Sequence, residues 1–579
     1  MTRHLAWTLA ALSLLAACSG DDTSSDTGAE SADSDVRGSD VPGSDIPDPG
    51  AAITTSVSVE DNPLIGLAAE LTIETDRPVR AEVTARSSDH AVELPRTAAL
   101  SPSHTIPVVG MRADDTYQIT VELFGDDDRS LGGTGMIDFT TDSLPDWFPD
   151  HQLTIDADRS SPGYTIVEAT PSQPSDDTPD AVLIAYDNAG EIVWYYFNSG
   201  SLGGVEQTAT GTFLMHYWPF GIREVDTLGN LVGHWRPELD SVDPDQVDYW
   251  NDALAGNPGD IDPLPVVPDW IALSGFHHEN WPMPNGNILT LSTTLHDLTD
   301  EQQQAFCPDD SESFIAISDV AVEFAPDGTT LRTWDLWDAI DIDQHPGSWL
   351  CIDAGLFAGE KTRDWTHANS VVYDDERDAV IISSRHTDQI IAFEHLDELG
   401  PQSSVRWILG AGSTMPLDGD PTFHQHAVEV NADGSLIVYD NGNDRPGTSA
   451  DDPANPPYSR AVIYDVDDRS ADPTEWSATQ RWEHRMIDDV IGAPIYTAFI
   501  GDADQLANGN VLITHGGIGE FPAPPDQPLR AVIVEVVPDG ASGGEVVWRL
   551  DSDPSSSHAV YRSERIETFY VGPNWIPRS

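Results

Sequence analysis

Four short stretches concentrate the side chains able to do chemistry: His277-His278-Glu279, His367-Ala368-Asn369, Arg385-His386 and His424-Gln425-His426. Each stands at the end of an apolar, β-rich run, and loops fed by rigid strands are where sheet proteins place their chemistry. Three readings compete at this level. The histidines can be hydrogen-bonded packing residues. They can ligate a metal, since imidazole is a common ligand; against this, Arg385 would repel a cation and no carboxylate pairs with them at a familiar ligand spacing. Or they line an anion pocket, because Arg, His and Asn are the donors that grip a sulfuryl or phosphoryl group.

The elements that must position these groups are short strands. A strand run leads to a tight turn and then to another strand that often ends in Trp. The theme recurs at Asp187-Asn188-Ala189-Gly190, Leu228-Gly229-Asn230, Pro284-Asn285-Gly286, Pro326-Asp327-Gly328, Ala432-Asp433-Gly434, Ala507-Asn508-Gly509 and Pro538-Asp539-Gly540. The Trp positions are Trp194, Trp235, Trp334 and Trp548. Asn-Gly and Asp-Gly supply the positive φ of primed hairpin turns. Repeated four-stranded units of this kind make a β-propeller, here with about six blades. The segment 561–570 is expected to close the ring. Loops from every blade of a propeller surround one axis, so residues far apart in sequence can converge there.

Composition bounds the rest. At 579 residues, with 39% hydrophobic content and 17 Trp, the chain is long enough for more than one folded unit. Long 3.6-residue periodicity is nearly absent, which points to an all-β protein. A formal charge of −72, with Lys361 the only lysine, argues against nucleic-acid binding, which needs clustered cations. The apolar run 5–17 after Arg3 and His4 is too short to span a bilayer and reads as an export signal.

Leu15-Ala16-Ala17-Cys18 resembles a bacterial lipoprotein processing box, so the expectation is a signal peptide over 1–18 with lipidation at Cys18. Ser19 in place of Asp favours the outer membrane, on its periplasmic or cell-surface side. Residues 19–50 are acidic, Ser- and Gly-rich and free of aromatics, so they read as a solvated tether. Alternating runs over 51–145 suit a small β-sandwich, and 150–579 is assigned to the propeller. In an exported chain the remaining cysteines, Cys307 and Cys351, read as one disulfide.

Asp364-Trp365-x-His367-x-Asn369-Ser370, followed by Ser383-Ser384-Arg385-His386, resembles the bacterial arylsulfate sulfotransferases. So do Gln425-His426, Asp440-Asn441-Gly442 and Tyr458-Ser459-Arg460-Ala461-Val462. The resemblance covers the propeller and implies a six-bladed, exported enzyme. Such an enzyme moves a sulfuryl group from an aryl sulfate to a phenol through a sulfated histidine, with no nucleotide sulfate donor. It implies His426 as nucleophile, ahead of His424. His367 and Arg385 act on the sulfuryl group, and Asn369 binds it. His278, preferred over His277 because the acidic Glu279 follows it, is the upstream histidine, with His277 a second substrate contact. The family usually has Asp where Glu279 stands.

No metal or other cofactor is implied, and Gly410-Ala411-Gly412 lacks the helix and Lys of a phosphate cradle. The partners implied are an aryl sulfate and a phenol; a homodimer is left open. Rival readings are a non-catalytic propeller lipoprotein that binds a small anion or a surface partner, a quinone-cofactor dehydrogenase, and a sulfatase.

Overall fold

The computed structural model describes residues 53–571 apart from 146–147, 149–150, 172–180, 199–200, 219–220, 238–268, 272, 274, 309–312, 348–349, 352–360, 396–403, 490–491, 520–528 and 553–557. The expected signal peptide, Cys18 and the tether lie outside the described residues. No helix among the described residues is long and apolar enough to cross a membrane.

Six sheets of four or five strands form the blades of a β-propeller. The first blade takes its innermost strand, His558–Ile566, from the C-terminal end of the chain and pairs it with Tyr164–Pro171. The sixth blade takes its outermost strand, His151–Ile155, from the N-terminal side, against Gly544–Ser552. Each end of the propeller therefore completes a blade built mainly from the other, which closes the ring by hydrogen bonding. Middle strands such as Ala181–Tyr186 and Ala379–Ser384 are buried at every position. This is why they read as near-continuous apolar runs, broken only by Ser383 and Ser384, rather than as alternation.

The tryptophans explain how blades adhere. Trp194, Trp235, Trp334, Trp407 and Trp482 all sit in the fourth strand of a blade. Their indole N–H groups donate to Thr227 O, Pro326 O, Glu394 O, the Asp468 carboxylate and Gly543 O, each belonging to the next blade. A large apolar body with one polar tip suits a seam that is dry but lies near backbone carbonyls.

The turns depart from expectation in type. In the hairpins at Gly190, Gly229, Gly286, Gly328, Gly434 and Gly509 only the glycine has positive φ, near 80°. Its N–H returns to the carbonyl three residues earlier, as in Gly286 to Met283 O at 2.9 Å. These are type I turns with a glycine bulge rather than two-residue primed turns. The preceding Asn or Asp serves another purpose: Asn285, Asp327, Asp433 and Asn508 accept the amide two residues on, at 2.9–3.1 Å.

Ahead of the propeller, the 18-residue strand Ala69–Arg86 runs through two sheets. Its first half pairs with Thr55–Asp61 and Ser101–Val108, its second with Thr116–Phe124 and Ala91–Glu93. This unit is tied to the propeller by polar bonds. Val109 exchanges both backbone groups with the Tyr570 hydroxyl at 2.9 and 3.0 Å, and Arg112 Nη2 reaches Asp187 at 2.6 Å. Cys307 follows the short helix Asp300–Phe306 and is disulfide-bonded to Cys351.

Candidate active site

The innermost strand of each blade lines the axis, and in several blades its ladder is broken by a bulge. Register shifts fall between His277 and Asn280, between Ala368 and Ser370, and between His426 and Val428. His278, His367, His424 and Ala427 there adopt left-handed φ of 46–61°. Non-glycine residues pay for that conformation, of order 1–3 kcal/mol each, and such strain collects at functional sites. The bulges re-aim successive side chains toward the axis. This is how three histidine-bearing stretches, 90 and 59 residues apart counting from His277, 367 and 426, share one pocket.

His426 is buried, and its Nδ1 lies 2.6 Å from Asn441 Oδ1. Asn441 Nδ2 donates to Thr497 O at 2.8 Å and Ile500 O at 2.9 Å. Two carbonyls thus fix which end of the amide faces the imidazole. An acceptor there requires the proton on Nδ1 and leaves the Nε2 lone pair free. Burial, then the nearby Arg385 guanidinium, holds His426 well below the ordinary histidine range, so its ring is neutral.

His367 places Nδ1 2.5 Å from Asp364 Oδ2. Its ring stacks on His386 at 4.5 Å and meets His278 edge-on at 5.0 Å. The expectation that no carboxylate pairs with these histidines is therefore corrected. The left-handed turn at His367 folds an Asp three residues upstream back onto the ring. Asp364, His367 and His386 bring ligand atoms within 4.8 Å of one another. The field of Arg385 bears on this group, lowering His386 after burial and His367, and so opposes a cation.

Arg385 is buried and donates through Nη2 to Ala498 O at 2.9 Å; burial lowers its pKa to about 10, and it stays charged. Asn369 is fully buried and spends one amide N–H on Gln425 O at 2.8 Å, which ties its blade to the backbone just before His426. His278 is held neutral by burial and by His367 beside it.

His277 lies behind His278, with Nδ1 atoms 2.8 Å apart, and its Nε2 sits 3.2 Å from Ser292 O and 3.3 Å from Asp319 Oδ1. The reason for expecting an oriented His278 is thus corrected. Glu279 turns away from it and pairs with Arg562, while Asp319 supports the histidine pair from 41 residues downstream. His424 is engaged elsewhere, its N–H donating to Asp388 Oδ1 at 2.6 Å and its Nδ1 3.2 Å from the same oxygen.

Sequence reasoning gave no role to Asp364, Asp319 or Arg562. Asp364 had only the Asp-x-x-His spacing for a signal, which names no contact without the left-handed turn at His367. Arg562, whose Nη2 donates to Asn369 O at 2.9 Å, had none, since its partners are 193 and 283 residues away.

Together the site offers a neutral imidazole with a fixed lone pair, a buried guanidinium, and a second imidazole backed by a carboxylate. That set can attack an electrophile bearing anionic oxygens, balance charge on those oxygens, and protonate a leaving group.

The chain matches the family model described as Arylsulfotransferase (ASST) over residues 156–562. It is 24% identical over 294 residues to arylsulfate sulfotransferase AssT of Escherichia coli O6:H1 (strain CFT073), a match covering 42% of this chain and 45% of the relative. To arylsulfate sulfotransferase AssT of Lelliottia amnigena it is 24% identical over 208 residues, covering 27% of this chain and 33% of the relative. The chain thus spans less than half the length of the curated relatives it matches. The solved periplasmic gluconolactonase PpgL of Pseudomonas aeruginosa superposes with a TM-score of 0.30 at 10% identity, covering 69% of this chain and 99% of that one.

Proposed function

Since the chain belongs to the arylsulfotransferase family, we propose that it transfers a sulfuryl group from an aryl sulfate to a phenol through a sulfohistidine at His426, without a nucleotide sulfate donor. The observation that carries this reading is the fixed tautomer. Asn441 holds the proton of His426 on Nδ1, so Nε2 presents its lone pair beside Arg385.

In the first half-reaction Nε2 of His426 attacks sulfur, an N–S bond forms, and the S–O(aryl) bond breaks with its electron pair leaving on the phenolate oxygen. His367, as imidazolium, gives that oxygen a proton, and Asp364 at 2.5 Å balances the charge of the protonated ring. In the second half an acceptor phenol returns its proton to His367 while its oxygen attacks sulfur, and the N–S bond breaks. Arg385 balances the charge that develops on the sulfuryl oxygens. Its burial makes that contribution larger than it would be in water. His278 offers the sulfuryl group its remaining nitrogen, Nε2, and Asn369 steadies the floor through Gln425. A non-catalytic anion binder has no use for a tautomer locked on one nitrogen.

A chromogenic aryl sulfate tests the activity. Without a phenol, colour should stop after about one equivalent per enzyme; with one, it should turn over. Equal steady turnover with and without phenol would make the protein a sulfatase and overturn the transferase reading. Lipid attachment at Cys18 to the outer membrane belongs to the same proposal. Cys18→Ser should leave the membrane fraction, and a variant that stays there refutes the anchor.

A further inference from the structure

Below the histidines the axis changes character. The inner strands run away from the pocket, and three residues past His426 the strand His426–Val430 carries Glu429. The inner strand of the sixth blade, Asp502–Gln505, carries Asp502 and Asp504, which lie on one face because strand side chains alternate. Ligand oxygens of Glu429, Asp502 and Asp504 all lie within 4.8 Å of one another. Glu564, on the strand that closes the ring, and Glu206, on the inner strand of the second blade, face the same group.

Two observations separate this group from an ordinary acidic cluster. Both carboxylate oxygens of Asp504 are shut off from solvent and accept no hydrogen bond among the described residues. A buried carboxylate that no protein donor reaches is costly, and native structures rarely leave one so. Second, the two guanidiniums that bear on the group are already committed. Arg562 pairs with Glu279 and donates to Asn369 O, while Arg565 pairs with Glu535 at 3.3 Å.

We propose that Glu429, Asp502 and Asp504 form a binding site for a divalent cation of the calcium class, bridging the fifth and sixth blades beside the closing strand. The donor set is oxygen alone, which selects hard cations over zinc or copper. Three carboxylates on rigid strands offer six oxygens, one of them on Asp502 also accepting the Ala503 N–H at 3.0 Å. Calcium takes 6–8 oxygens at 2.3–2.6 Å, whereas magnesium keeps several waters and one or two carboxylates. An entry path exists: a cavity of about 530 Å³, lined by Glu429, Asp504, Glu564 and Glu567 with Arg565 the one cation among the described residues on its wall, opens beside the 507–508 hairpin, at the far end of the strands from the histidines. The cation supplies the charge that the cluster lacks and ties the fifth and sixth blades together beside the strand that closes the ring.

The experiment uses the whole chain, dialysed against EDTA and titrated with calcium by calorimetry, with thermal unfolding at each endpoint. The expected results are one calcium per chain and a Tm that rises with calcium but not with equal magnesium. Asp504→Asn separates the proposal from simple repulsion. In EDTA the variant should melt higher than the parent, because one repelling charge is gone; in calcium it should melt lower, because a ligand is gone. Glu429→Gln carries the same comparison should Asp504→Asn fail to fold. No heat of calcium binding, together with a variant that melts higher in both buffers, overturns the site. An equal response to magnesium overturns the calcium assignment.

Discussion

Replacing Asn441 by alanine removes one acceptor and two donated bonds at a single position. Asn441 Oδ1 holds the His426 Nδ1 proton at 2.6 Å, and Nδ2 bridges the Thr497 and Ile500 carbonyls. In the variant the His426 proton is no longer bound to Nδ1, so the attacking lone pair is lost whenever the ring takes the other tautomer or turns. A buried hydrogen bond of this kind is worth about 1–3 kcal/mol, and each 1.4 kcal/mol is about tenfold in rate. Sulfation in a single turnover should therefore slow about 10- to 100-fold.

KM should move little, because Asn441 acts through His426 rather than on the substrate. The two carbonyls left without their donor should also cost about 2–4 kcal/mol of stability. Phenol release by stopped flow, beside a urea titration of the same protein, measures both. A variant that loses stability yet sulfates within twofold of the parent would show the amide to be packing alone, and the tautomer argument would fall.

Arg385→Ala should lower kcat by about 10²–10³, the usual effect of removing one preorganised donor; a change of only a few-fold would remove Arg385 from charge balancing. The Cys307–Cys351 bond closes a separation of 44 residues, worth about 4 kcal/mol by chain entropy, so reduction should lower Tm. Alkylation of both thiols in denatured, unreduced protein would contradict that bond. Burial holds His515 at about 3 against 6.5 for a free histidine. Between those values the unfolded chain binds the proton and the fold does not, so stability rises with pH through that window and is lost on acidification below 6.5. His515→Gln should flatten the slope of unfolding free energy there by up to about 1.4 kcal/mol per pH unit; an unchanged slope in urea titrations would refute it.

Much of the site was legible because its groups lie in short, ordered stretches. His367, Asn369, Arg385 and His426 each announce themselves at the end of an apolar run, and the turn residues reveal the blade repeat. What stayed hidden is set by distance or by backbone sign. Asp364 reaches His367 only because His367 is left-handed, which no spacing rule states. Asp319 accepts from Thr366 Oγ1 and Ala368 N, 47 and 49 residues away, across a parallel pairing that periodicity does not specify. The Asn-Gly pairs mark the turns but not their type, since the Asn accepts the amide two residues on rather than supplying positive φ. Glu279 directly follows His278, yet a bulge turns it to an arginine 283 residues on.

The most direct test of the account is where the sulfuryl group rests. Enzyme mixed with an aryl sulfate and no acceptor should carry one added sulfuryl group, placed by fragmentation mass spectrometry on His426. His424→Ala should keep that label and His426→Ala should lose it together with turnover. A label that survives in His426→Ala, or full turnover by that variant, would contradict covalent transfer through this residue.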